Sequence, residues 1–300
     1  MKTDALYQSL RGGDIPALAR ALTIVENELE GSEKLLTGLQ PRQDVPVIGL
    51  TGPPGAGKST LINALIREHT ATGKRLAILA VDPTSPFNYG SLLGDRLRMA
   101  EHFTNPSVFI RSVATRGSLG GLSEKVIELI DVLRSAPFDL ILVETVGVGQ
   151  SEVEIAGLAD TTIVLVVPES GDEVQTMKSG IMEIADIFVV NKSDREGADT
   201  LVNSLQQLTM HSGKSDWQIP VLKTSASNLE GIVPVIDACV AHRKHPGFNE
   251  KRYQLLAEKA YRLIGQRRMR GIHRMELLSS LKKASNQADF NLYRFIEAYG

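Results

Sequence analysis

Seven short apolar runs recur between residues 45 and 245, and most of them are apolar on both faces. They are VPVIGL (45–50), RLAILAV (75–81), SVFIRSV (107–113), DLILVE (139–144), TTIVLVV (161–167), DIFVV (186–190) and IPVLK (219–223). A strand with one wet face alternates apolar and polar residues. Uniform runs suit a parallel sheet covered on each side. Amphipathic stretches separate them, among them STLINALIREH (59–69), LSEKVIELIDVLRSA (122–136) and ADTLVNSLQQL (198–208). This alternation predicts an α/β fold, doubly wound around a mostly parallel sheet.

The flanks read differently. Ile15, Leu18, Leu22, Val25 and Leu29 recur at helical spacing, with Asp14 before Pro16 as a start signal. Beyond Pro246 no strand pattern returns, and YQLLAEKAYRLIGQ (253–266) and MELLSSLKKA (275–284) read as helices. The expected organisation is an N-terminal helical extension over 1–44, a nucleotide-binding domain over 45–245 and a C-terminal helical arm over 246–300. Residues 251–283 hold ten Lys/Arg and two Glu, a local +8 inside a chain whose net charge is −2. The near-neutral sum excludes a wholly basic nucleic-acid coat protein and an acidic disordered chain.

The start, MKTDALYQSLRGGD, has Asp4 and no apolar core, so no signal peptide is expected. The longest apolar runs, such as IVLVV (163–167), fall far below the roughly 18 residues needed to span a bilayer. The single cysteine, Cys239, excludes an internal disulfide or a Cys-based zinc cluster. A cytoplasmic location is the default expectation, with neither membrane nor nucleic acid as a partner.

GPPGAGKS (52–59) matches G-x-x-x-x-G-K-[ST] between a predicted strand and a predicted helix. Gly52, Pro53, Pro54, Gly55, Ala56 and Gly57 form a loop whose backbone N–H groups converge on phosphate oxygens. The helix N-terminus, with Lys58, Ser59 and Thr60, adds its positive dipole end. Lys58 is expected to reach the β- and γ-phosphates, and the Ser59 hydroxyl to ligate Mg²⁺. Proline at 53 disfavours the partition-type ATPases, which carry a second lysine there.

Asn191-Lys192-Ser193-Asp194 follows the run DIFVV. A carboxylate at 194 accepts from both N1–H and the exocyclic amine of guanine, a donor pair adenine lacks. A buried polar site left unpaired by the wrong base discriminates by about 10⁴ or more. Lys192 lies along the base in this reading, and Asn191 ties the loop to its neighbours. Thr224-Ser225-Ala226 fits the segment whose backbone N–H meets guanine O6. The expected nucleotide is GTP or GDP.

Asp82 ends RLAILAV, and Glu144 ends DLILVE and opens E-T-V-G (144–147). Ligands of open α/β sheets gather at strand carboxyl ends, so both acids belong beside the phosphate loop. They are candidates for Mg²⁺ and its waters, with Asp95 a third. Gly147 is placed to turn its N–H toward the γ-phosphate. Spacing alone selects no hydrolytic residue among Lys178, Gln150, Arg111 and Arg116. His242-x-x-His245 and Cys239 read as structural, Trp217 as packing at a strand edge, and 116–121 as either a helix start or a moving loop.

VDPTSPFNYGSLLGDRLRM (81–99), RGSLGGL (116–122), ETVGVGQSE (144–152), GDEVQTMKSG (171–180) and NKSDREGAD (191–199) together resemble the MeaB/ArgK family. These are the methylmalonyl-CoA mutase-associated GTPases, in the metallochaperone-related group of P-loop GTPases. The resemblance covers about residues 10–245. It implies a GTP-hydrolysing chaperone of an adenosylcobalamin-dependent acyl-CoA mutase, gating cofactor loading and protecting or reactivating the mutase without itself binding cobalamin. It implies Mg²⁺-associated roles for Ser59, Asp82, Asp95 and Glu144, and a third switch carrying Gln175 and Lys178. It also implies a homodimer formed through the C-terminal arm. The alternatives are a metallochaperone GTPase for metal insertion and a protein-targeting GTPase.

Overall fold

The computed structural model describes residues 3–82, 99–114, 125–145, 155–170, 181–210, 217–269, 271–286 and 290–299. Among these, a seven-stranded sheet comprises β1 (Val47–Thr51), β2 (Leu76–Asp82), β3 (Val108–Ala114), β4 (Leu140–Glu144), β5 (Thr161–Val166), β6 (Ile187–Val190) and β7 (Val221–Lys223). Its order is β3-β2-β4-β1-β5-β6-β7, and every neighbouring pair is parallel. The sheet is wholly rather than mostly parallel.

Side-chain alternation explains the uniform apolar runs. Leu140 and Leu142 of β4 join a core with Leu61, Ile62, Leu65 and Ile66 of α4 (Lys58–Ala71). Ile141 and Val143 point the other way, into a core shared with α1 (Thr3–Arg11), α2 (Ile15–Glu26), α3 (Ser32–Gly38) and α5 (Val126–Arg134). In β5, Val164 and Val166 meet Leu201 and Leu205 of α6 (Ala198–Met210). Helices on both faces leave no wet face to encode.

The N-terminal helices are part of that layer. Asp14 caps α2 by accepting from Ala17 N at 2.6 Å, with Pro16 in the first turn. Glu26, the last residue of α2, pairs with Arg111 of β3 at 2.6 Å, and Glu28 pairs with Lys125 at 2.7 Å.

The amino ends of three strands share one device. Asp139, Asp160 and Asp186 each immediately precede a strand. Their carboxylates accept from Arg75 N (2.8 Å), Val47 N (2.9 Å) and Thr162 N (2.8 Å) on the neighbouring chain segment. Their own N–H groups donate to the carbonyls of those same three residues. Each pair pins two parallel strands in register and satisfies a donor that the strand end would otherwise leave open.

Contacts divide the chain into two compact units, Met1–Arg252 and Tyr253–Gly300. The first includes α7 (Ile232–Lys244) and the start of α8 (Phe248–Met269). The second holds the rest of α8 with α9 (Arg274–Ala284) and α10 (Leu292–Glu297), and α9 and α10 bury no side chain.

Candidate functional site

Strand β1 ends at Thr51, and the chain turns through residues 52–57 into α4. β1 lies between β4 and β5, where successive connections leave to opposite sides, the switch point at which α/β sheets open a crevice. Gly57 caps α4 with φ of 89°, and a Cβ there would lie 2.3 Å from Asn191 Nδ2. Glycine at 57 is therefore demanded twice, by the left-handed backbone and by the approach of Asn191.

Lys58 is buried, and its Nζ donates to Gly52 O at 2.7 Å and Pro53 O at 3.1 Å. The ammonium is thus folded back across the loop that Pro54, Gly55 and Ala56 complete. Ser59, also buried, donates from Oγ to Glu144 Oε1 at 2.8 Å. Glu144 sits at the end of β4, registered with Leu50 of β1 and Ala80 of β2. Thr60 completes the first turn of α4 with its side chain exposed. Thr145 donates to Thr51 Oγ1 at 3.0 Å, joining the ends of β4 and β1 through a buried hydroxyl pair. Neither residue makes a motif by itself. The signal of this contact is a hydroxyl residue at both strand ends.

The base-side motifs converge on Asn191. Its Nδ2 donates to Ala56 O at 2.8 Å, and its Oδ1 accepts from Thr224 Oγ1 at 3.0 Å and Ala226 N at 3.2 Å. One buried amide therefore holds the phosphate loop and both base-side segments in a single frame. Lys192 takes φ of 55°, a left-handed value that costs a non-glycine residue about 1–3 kcal/mol. The turn it makes is closed by Ser193 N donating to Thr224 O at 3.0 Å. Asp194 then faces Ser225, whose Oγ donates to Asp194 Oδ1 at 2.8 Å. That hydroxyl is the main cause that holds the Asp194 carboxyl below its ordinary range, followed by its own backbone N–H. Ser225 in turn accepts from Asn228 Nδ2 at 3.0 Å.

Asp82 closes β2, and only its backbone is described. Asp95, Gly147, Gln175, Lys178, Arg116, Gln150 and the glycine run 116–121 lie outside the described residues. Arg111 is engaged by Glu26 and Thr23, away from the phosphate loop.

His242 Nδ1 lies 2.9 Å from Thr161 Oγ1, its Nε2 is 3.5 Å from Asp186 Oδ1, and Trp217 packs on the ring at 5.0 Å. Cys239 is buried, which pushes its thiol up to about 12. Among the described residues no group of three or more His, Cys, Asp or Glu is gathered for a metal. No helix among them is long and apolar enough to cross a membrane.

The family model for the methylmalonyl-CoA mutase-associated GTPase MeaB matches residues 18–276. The chain belongs to this family. Within it, a putative GTPase of Pyrococcus abyssi is 48% identical over 246 residues, spanning 80% of this chain and 76% of the relative. The GTPase ArgK of Escherichia coli is 38% identical over 245 residues, 77% of this chain and 73% of its own. The mitochondrial methylmalonic aciduria type A homolog of Mus musculus is 39% identical over 256 residues, 78% of this chain and 61% of that one. A solved LAO/AO transport system kinase superposes with a TM-score of 0.72 at 26% identity, covering 99% of this chain and 96% of that chain. MeaB-family membership and the seven-stranded parallel sheet thus agree on a P-loop GTPase fold with helices at both termini.

Proposed function

We propose that the chain binds GTP at the carboxyl ends of its strands and hydrolyses it to GDP and phosphate. The cycle serves an adenosylcobalamin-dependent acyl-CoA mutase, methylmalonyl-CoA mutase or a close relative. It gates cofactor loading and protects or reactivates the mutase. The observation that carries the nucleotide reading is the Asn191 amide, bonded at once to the phosphate loop and to the segment at 224–226. The mutase reading rests on the family, whose description names association with methylmalonyl-CoA mutase.

In this reading Lys58 exchanges the carbonyls of Gly52 and Pro53 for phosphate oxygens, so its N–H donors stay satisfied throughout. Asp194 accepts from the two guanine N–H donors, and Ala226 N and Lys192 border the base. Ser59 and Glu144 offer oxygen donors 2.8 Å apart, a hard set that suits Mg²⁺ rather than a soft metal. Asp82 and Asp95 complete that proposed set. The ion would supply positive charge to the phosphate oxygens. Gly147 is the proposed sensor of the γ-phosphate, and Gln175 and Lys178 belong to the switch that responds to the mutase. The chain holds no cobalamin of its own and works in the cytoplasm.

The helical arm is the proposed dimer contact. Tyr261, Met275 and Tyr293 are each more than three-quarters exposed there, apolar surface that a second copy would cover.

GTP turnover measured with and without each acyl-CoA mutase of the source genome tests the function. Acceleration by one of them is the expected result, and unchanged turnover with all of them sinks the mutase role.

A further inference from the structure

The base-side acid is oriented by a chain of two donors, and only its inner member, Ser225, belongs to the nucleotide motifs. A hydroxyl carries one proton and two acceptor positions. Ser225 Oγ spends that proton on Asp194 Oδ1 at 2.8 Å. Asn228 Nδ2 donates to Ser225 Oγ at 3.0 Å. With its proton committed, Ser225 Oγ can meet Asn228 only as an acceptor, so the amide must present its NH₂ group. The amide therefore closes off the alternative in which the hydroxyl turns away from the acid.

Backbone geometry fixes Asn228 for this task. Its own N–H donates to Ser225 O at 2.9 Å, within the short turn Ala226–Asn228. Leu229 follows with φ of 59°, and Ser225 and Glu230 exchange reciprocal N–H to O bonds, both at 3.1 Å. Gly231 lets the chain return, because a Cβ there would lie 2.1 Å from Lys223 O. Asn228 is thus locked to Ser225 through both its backbone and its side chain, although its side chain is exposed. The exposed asparagine is held twice to one buried serine.

We infer that Asn228 is a positioning residue for guanine specificity: it orients the Ser225 hydroxyl, which in turn aims the Asp194 carboxylate at the N1–H and 2-amino donors of the base. The inference rests on the guanine-site reading above. Its effect is selective, because a misaimed carboxylate loses most against a base that offers two donors. Hypoxanthine offers only N1–H, so the ratio of GDP to IDP affinity reports the aim of the acid. A general loosening of the loop would weaken both ligands and leave that ratio alone.

The test is displacement of a fluorescent GDP analogue by GDP, IDP and XDP from the full chain and its variants. Asn228→Ala should lower the GDP:IDP affinity ratio about fivefold, the worth of one neutral hydrogen bond. In a Ser225→Ala background it should lower the ratio no further, because Asn228 acts through that hydroxyl. Asn228→Asp, which offers the Ser225 proton a competing carboxylate, should lower the ratio at least as much as Asn228→Ala. An unchanged ratio in Asn228→Ala, or an equal drop in the Ser225→Ala background, overturns the inference. Asp194→Asn is the reference: preference moving from GDP to XDP upholds the base site independently of Asn228. If Asp194→Asn keeps its GDP preference, the base-site reading itself falls, and the inference with it.

Discussion

The two ends of the sheet are both rich in polar groups, and they use them in opposite ways. At the amino ends the groups close on one another. Asp160 accepts from Val47 N and from Arg134 at 2.5 Å, and Arg134 also donates to Val45 O at 3.3 Å. Asp186 accepts from Thr162 N, and His242 meets Thr161. At the carboxyl ends the groups are held from behind, and in the proposed reading they leave their working atoms toward the nucleotide. Asn191 fixes the loops, Ser225 fixes Asp194, and Lys58 rests on two carbonyls it can leave. A closed network serves register and stability, whereas an open one serves recognition. Substitutions at the two ends should therefore separate cleanly.

The largest effect is expected at the open end. Asp194→Asn should cost GDP affinity by up to about 10⁴-fold and make XDP the better ligand. Its thermal melt should stay near wild type, because the Asp194 side chain is exposed. A large loss of melting temperature with GDP preference intact would break the comparison.

Arg134→Ala makes the converse case. It leaves the nearly buried Asp160 carboxylate without its charged partner, with side chains only 9% and 10% exposed in the intact pair. Denaturant unfolding should show a loss of about 3–5 kcal/mol, and the GDP:XDP preference of the folded fraction should not move.

A smaller change sharpens the strand-start device. Asp139→Ala removes the carboxylate that accepts from Arg75 N in an exposed setting. Urea unfolding should register about 0.5–1.5 kcal/mol, again with nucleotide preference unaltered.

The smallest effect is a pH dependence. Burial, the largest cause, holds His69 in the last turn of α4 below its ordinary 6.5, while its Nδ1 lies 2.9 Å from Leu65 O. The fold favours the neutral ring, so this contribution is present above pH 6.5 and is lost as pH falls through the lowered folded value. His69→Gln should make the acid side of a stability-against-pH curve shallower, and an unchanged slope would remove His69 from the account.

Much of this architecture was legible in the chain itself, for an identifiable reason. All seven strands could be read from short apolar runs, and most of these are uniform because helices cover both faces of the sheet. The phosphate loop and the Asn191–Asp194 segment could be located because each needs particular residues at fixed spacing. The device formed by Asp139, Asp160 and Asp186 was visible as an aspartate opening two of the runs and preceding a third, yet its meaning needed the strand order, since each acid serves a neighbour distant in sequence. The Thr51–Thr145 pair and the Asn228–Ser225–Asp194 relay were hidden for the same reason. A hydrogen bond between separate strand ends has no periodicity. Charge also concealed information, since a net −2 averages a +8 stretch in the arm with a −10 remainder.

Calorimetric titration of the chain with GDP and with ADP separates base recognition at Asp194 from binding to the phosphate loop alone. GDP should bind, and ADP should bind about 10⁴-fold more weakly, because adenine cannot offer Asp194 its two donors. ADP affinity within tenfold of GDP would contradict that base recognition.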